Sequence, residues 1–198
     1  MISENVFYYR NDLPKKVRLV AVTKNATVPG IKIAKECGIN CFAESRIQDA
    51  IQKIKEIPDA EWHFVGHLQT NKVKKAVEHF EVIQSVDSLR LAEKIDKAAK
   101  ELNKKQKIMI QIKFNSKYGF DPNEVKKAVN RLTKLSNVKL VGVMTMGDKN
   151  NPLTHFKKTG EIFKKLNLKY LSMGMTNDYT EALKYGSNMV RIGKGIFD

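Results

Sequence analysis

Short apolar runs alternate with longer amphipathic segments along the whole chain. Eight runs stand out: residues 18–22, 41–43, 62–65, 82–83, 108–112, 140–144, 170–173 and 189–192. Each but the last leads through a polar break into a stretch whose apolar residues recur three and four apart. Ile47-Ile51-Ile54, Leu89-Ala92-Ile95-Ala99-Leu102 and Val125-Val129-Leu132-Leu135 are examples. A continuous apolar run of this length reads as a strand buried on both faces, and the three–four recurrence reads as a helix with one buried stripe. Punctuation residues agree. Asp121-Pro122-Asn123-Glu124 offers an N-cap, a proline at the first helical position and a glutamate three residues after the cap. Gly38 and Gly186 stand where left-handed C-caps close two helices. Ser85 and Asp87 compete as N-cap of the longest helix, which runs towards Asn103.

Strands each followed by a helix imply a parallel sheet covered by helices. Eight units in 198 residues, about 25 residues each, fit a closed barrel better than an open sheet. The predicted fold class is therefore α/β: a single-domain (β/α)8 TIM barrel over residues 1–198. No linker, low-complexity tract or second core interrupts the pattern, and 148–152 is the most loop-like segment. In such barrels chemistry sits on the loops that follow the strands. That selects Thr23-Lys24, Glu44-Ser45, 66–69, 85–87, Lys113, 144–147, 173–176 and 193–195.

Composition narrows the function classes. With 42% hydrophobic and 29% charged residues the chain is too apolar to be disordered. No run approaches the ~18 apolar residues of a membrane span, and the amino terminus shows no apolar signal core. A cytoplasmic protein is expected. Lysine and arginine total 36 against 21 acidic residues, a net charge of +15, yet only six of the basic residues are arginine. The lysines are spread in pairs through every segment, which reads as a solvated surface and not as a nucleic-acid face, although it draws in small anions such as phosphate esters. Cys37 and Cys41 have no second cysteine pair and no histidine nearby in the sequence, which argues against zinc and for two buried, reduced thiols.

Two kinds of strand end carry chemistry. Lys24 closes the apolar run Leu19-Val20-Ala21-Val22-Thr23; a lysine delivered from a buried strand is partly desolvated, which lowers its pKa and frees an amine for a Schiff base. Lys113 occupies the equivalent place after Ile112, and spacing does not separate the two. The last two strand ends, Ser172-Met173-Gly174-Met175-Thr176 and Val190-Arg191-Ile192-Gly193-Lys194-Gly195, combine glycine-bared backbone N–H groups with a helix start, an arrangement that binds phosphate.

The segments Trp62-His63-Phe64-Val65-Gly66-His67-Leu68-Gln69-Thr70-Asn71-Lys72, Ser85-Val86-Asp87-Ser88-Leu89, Leu171-Ser172-Met173-Gly174-Met175 and Val190-Arg191-Ile192-Gly193 together resemble the YggS/PROSC family of pyridoxal phosphate homeostasis proteins, from about Leu19 to the C-terminus. The resemblance implies a barrel like the N-terminal domain of alanine racemase, with pyridoxal 5′-phosphate (PLP) held as a Schiff base by a lysine at the end of the first strand. Lys24 matches that lysine. Arg191 matches the arginine that faces the pyridine nitrogen, and Thr176, Gly193 and Lys194 match the phosphate positions. A guanidinium only donates, so it keeps the pyridine unprotonated and the ring a weak electron sink. Three departures stand out. Ser45 replaces the asparagine of the family's Gly-Glu-Asn, Lys194 replaces a threonine or serine, and the segment before the first strand is short enough that an N-terminal helix is expected to be clipped or missing.

The function implied is a non-catalytic PLP binder in intracellular PLP homeostasis, a monomer whose partners are PLP and apo PLP-dependent enzymes, with neither membrane nor nucleic acid among them. The alternative is a weak PLP-dependent amino-acid racemase. Racemisation needs a base on each face of the substrate carbon, and Lys24 serves as only one.

Overall fold

The computed structural model describes residues 1–147 and 152–198, so most of the loop-like segment singled out above lies outside the described residues. The chain opens with α1 (Ile2–Asp12), then alternates β1 (Arg18–Val22), α2 (Val28–Glu36), β2 (Cys41–Glu44), α3 (Ile47–Glu56), β3 (Glu61–Phe64), α4 (Val73–His79), β4 (Val82–Val86), α5 (Leu89–Glu101), β5 (Gln106–Ile112), α6 (Val125–Leu132), β6 (Val138–Thr145), α7 (Pro152–Phe163), β7 (Tyr170–Ser172), α8 (Tyr179–Lys184), β8 (Met189–Ile192) and α9 (Lys194–Phe197). The eight strands pair in sequence order, all parallel, and β8 returns to β1 in the register Arg18↔Met189 to Ala21↔Ile192, which closes the barrel. No helix among the described residues is long and apolar enough to cross a membrane.

Alternation along the strands separates two packed layers. Val20, Cys41, Ala43, Val82, Met109, Val141 and Met189 fill the lumen, with Val22, Val65 and Tyr170 against them. Their neighbours face the helices: Phe42 lies against Trp62 at 5.4 Å, and Phe64 against Phe80 at 5.2 Å. Each large apolar side chain fully withdrawn from water contributes about 1.5–3 kcal/mol, so this outer layer carries most of the stability.

Local sequence explains most boundaries. Gly38 and Gly186 adopt φ of 94° and 92° just after α2 and α8, the left-handed closure that glycine permits. Asp121 accepts a hydrogen bond from the Asn123 backbone and starts a single 3-10 turn, Pro122–Glu124, that runs into α6. Three expectations need correction. The N-cap of α5 is Ser88, whose side chain accepts from the Leu91 N–H; Ser85 and Asp87 lie earlier, because β4 runs on to Val86. Strand β4 extends through polar Gln84 and Ser85, both buried. The N-terminal helix is present: Val6, Tyr9 and Leu13 recur at helical spacing and are buried, so the short leading segment still forms the 11-residue α1.

Candidate functional site

A cavity of about 540 Å³ opens at the carboxyl ends of the strands. It is lined by Val22, Gly147, Pro152, Met175, Thr176, Asn177, Asp178, Arg191, Gly193 and Lys194. That volume suits a small ligand. The turns after β7 and β8 make one wall, each opening a helix whose first N–H groups lack intrahelical partners. Asp178, the N-cap position of α8, accepts from the Met175 N–H at 2.6 Å and so folds the first turn. Thr176 Oγ1 accepts from the Gly195 N–H at 3.3 Å and ties the two turns together. Close approach explains both glycines of the second turn. A Cβ on Gly193 would lie 3.2 Å from the Val22 carbonyl, and one on Gly195 would overlap the Tyr9 hydroxyl of α1.

Arg191 supplies the fixed charge. It is 3% exposed, yet it lines the cavity. Nη1 donates to Ser172 Oγ at 2.7 Å and Nη2 to the Thr145 carbonyl at 2.9 Å. With a longer contact from Nη2 to Met146 Sδ at 4.0 Å, these use three of the five guanidinium N–H groups and no carboxylate. Burial pushes its pKa down to about 10 while the nearby Asp178 charge opposes that shift, so it stays cationic at neutral pH. Together with the exposed Lys194 on the rim, the cavity holds two cations against the single carboxylate of Asp178. A glycine cradle and a buried cation with spare donors suit a phosphate ester carrying a hydrogen-bond-accepting ring.

Lys24 follows β1, two residues beyond Val22, which packs on Gly193. It shares the lumen-facing parity of Val20 and Val22. It is nevertheless exposed and does not line the cavity, so the partly desolvated amine expected from sequence is corrected. The cause is a turn: the N–H groups of Asn25 and Ala26 both donate to the Thr23 carbonyl at 2.9 Å, which lifts Lys24 over the rim. The turn has a rigid base. Fully buried Glu44 accepts from Thr23 Oγ1 at 3.1 Å and from Lys53 Nζ at 2.6 Å through one oxygen, and from the Ser45 and Arg46 N–H groups through the other. Lys53 donates in addition to the Thr23 carbonyl at 2.6 Å.

The other sequence-predicted residues divide cleanly. Thr176, Arg191, Gly193 and Lys194 meet in the cavity, whereas Ser45 lines a separate hollow of about 300 Å³ beside Phe64, His67 and Gln69. Lys113 lies in another depression, with Phe114 and Asp121. His67 pairs with Asp87 at 3.2 Å and stacks on Tyr118. Of the methionines, Met144 and Met173 are core, Met175 lines the cavity and Met146 is exposed. Neither the Glu44–Lys53 pair nor Ser172 as the partner of Arg191, with Gln84 and His63 behind it, was picked out from the sequence; for Ser172, Gln84 and His63 a polar residue inside an apolar strand run was the available signal.

At the opposite mouth the lumen brings His63 to Cys41, 3.6 Å from the sulfur, although sequence spacing separated them. With Glu61 these are the described residues that could hold a metal ion. Arg18, which donates to Glu61, already fills the cation's place. Cys41 is a buried free thiol whose pKa burial pushes up to about 12; Cys37, expected buried, is half-buried.

The model of the alanine racemase N-terminal domain family matches residues 1–198. A pyridoxal phosphate homeostasis protein of Synechocystis sp. is 41% identical, covering 93% of this chain and 92% of that protein. The solved structure of PipY from Synechococcus elongatus with PLP bound has a TM-score of 0.93 at 34% identity over 100% of both chains. Alanine racemase of Clostridium difficile matches with a TM-score of 0.86 at 18% identity, over 98% of this chain and 56% of the racemase, which shows a shared fold. The chain belongs to the alanine racemase N-terminal-domain family and, within it, to the pyridoxal phosphate homeostasis proteins.

Proposed function

We propose that this protein binds PLP and serves its intracellular supply, in the cytoplasm, without catalysing a reaction of its own, and that apo PLP-dependent enzymes are the recipients. The observation that carries the reading is Arg191: a buried guanidinium, cationic at neutral pH, that lines the same cavity as two glycine turns. Arg191 meets the pyridine nitrogen; Thr176, Gly193 and Lys194 hold the phosphate; Ser45 keeps only an outlying place. When bound, PLP supplies an aldehyde that condenses with a primary amine. Lys24 is the amine, and its exposed side chain swings inward from the turn that Glu44 and Lys53 anchor. A guanidinium cannot give up its proton to the ring at neutral pH, so Arg191 leaves the nitrogen unprotonated and favours storage over carbanion chemistry. Likeness to PipY, solved with PLP bound, supports the reading. The racemase alternative rests on shared fold alone.

Incubation with PLP, borohydride reduction and peptide mapping test the assignment. A pyridoxyl group on Lys24, absent from Lys24→Ala, is the expected result. Labelling confined to another lysine overturns the role of Lys24, and a protein that gains no visible absorption band with PLP overturns the binder reading. Conversion of L-alanine to D-alanine faster than by free PLP would overturn the absence of catalysis.

A further inference from the structure

Arg191 is the upper end of a hydrogen-bonded chain that descends the lumen. Its Nη1 donates to Ser172 Oγ at 2.7 Å, Ser172 Oγ donates to Gln84 Oε1 at 2.7 Å, and Gln84 Nε2 donates to His63 Nδ1 at 2.7 Å. His63 Nε2 then donates to Glu61 Oε1 at 2.8 Å, and Arg18 donates to the other oxygen of Glu61. The four upper members lie on β8, β7, β4 and β3, and all are buried. We propose that Ser172 and Gln84 are positioning residues that set the direction in which Arg191 presents its free N–H groups to the ring nitrogen of PLP. The proposal rests on the reading above that PLP occupies this cavity.

A guanidinium on a flexible stem can turn, and only acceptors at fixed places orient its plane. Ser172 Oγ and the Thr145 carbonyl are such acceptors, one on each terminal nitrogen. A serine hydroxyl, however, is either donor or acceptor, and with its proton turned towards Arg191 it would repel the cation. Gln84 Oε1 takes that proton and leaves a lone pair for Arg191. The amide of Gln84 has two orientations of its own, and His63 selects one: its Nδ1 accepts, so the NH₂ end must face it. His63 is fixed in turn because Glu61 only accepts, which places the ring proton on Nε2, and burial keeps the imidazole neutral. The series ends on Arg18 and Arg191, which can only donate. Every intervening group therefore has one consistent orientation.

Purified wild type, Ser172→Ala, Ser172→Thr and Gln84→Leu are titrated with PLP, with circular dichroism confirming that each is folded. Ser172→Ala is expected to weaken PLP binding about tenfold, the loss of one hydrogen bond to a charged group, and to move the absorption band of bound PLP. Ser172→Thr, which keeps the hydroxyl, restores both. Gln84→Leu, which leaves Arg191 and its direct acceptors in place, moves the band in the same direction by a smaller amount. Wild-type affinity and an unmoved band in folded Ser172→Ala overturn the proposal. If Ser172→Ala does not fold, an unmoved band in Gln84→Leu overturns it. Absence of any PLP band in wild type defeats the binder reading itself, an outcome separate from unmoved variants of a PLP-binding wild type.

Discussion

Replacing Lys53 with methionine isolates the anchor beneath Lys24. Methionine keeps the apolar stem but removes the ammonium that pairs with Glu44, whose carboxylate is fully buried. Removing one partner of a buried pair leaves an uncompensated charge and costs about 3–5 kcal/mol. Glu44 keeps three other donors, Thr23 Oγ1 and the Ser45 and Arg46 N–H groups, which places the loss near the lower end. For a chain of this size each kcal/mol moves the melting midpoint by about 2–4 °C, so a loss of about 3 kcal/mol lowers it by about 6–12 °C. Thermal unfolding followed by circular dichroism, without PLP, measures the shift. The same protein titrated with PLP reports the second effect, because the Thr23 carbonyl loses its hold on Lys53 and the Lys24 turn loosens. A midpoint lowered by less than about 2 °C would refute the claim that this pair carries the turn.

Two further outcomes follow from packing and charge. The pKa of Glu61 falls from 4.5 to about 2, chiefly through its hydrogen bond from His63 and against the cost of burial. A depressed folded pKa gives stability that is full above pH 4.5 and is lost as pH falls towards 2. Urea unfolding across that interval should therefore show a steep decline that Glu61→Gln flattens, and parallel curves would contradict it. Gly66→Ala would drive a Cβ into the Ser45 carbonyl oxygen of the neighbouring loop, with no flexible side chain to yield. It should cost about 1–3 kcal/mol in urea unfolding; an unchanged midpoint would show that the two loops separate freely.

The barrel was legible because its strands are apolar on both faces, and eight apolar runs in one chain leave little choice of topology. What remained hidden has identifiable causes. In β4 the lumen takes polar Gln84, which breaks the apolar run after Ile83 although the strand continues to Val86. In α1 the buried stripe of Val6, Tyr9 and Leu13 is diluted by exposed Phe7 and Tyr8, so the helical period is weak. The cavity's two glycine turns were visible as glycines beside small residues, and Arg191 as a charge in an apolar strand. The position of the Lys24 side chain was not visible, since it depends on a turn that backbone hydrogen bonds create after the strand has ended. Nor was the Glu44–Lys53 pair, because a lysine on a helix face ordinarily points to water and only the three-dimensional meeting with Thr23 draws it inward.

The leading helix has a consequence out of proportion to its length. Tyr9 lies under Gly195, and Asp12 accepts the hydroxyl proton of Tyr179 at 2.7 Å, so α1 braces both short helices that follow the cavity's turns. The first dozen residues therefore act as a strut for the cavity's two glycine turns, while the eight strands close on one another without them. Trimming that end would take the support from α8 and α9 together, and an affinity tag at Asp198 would load α9 itself, whose Lys194 lines the cavity.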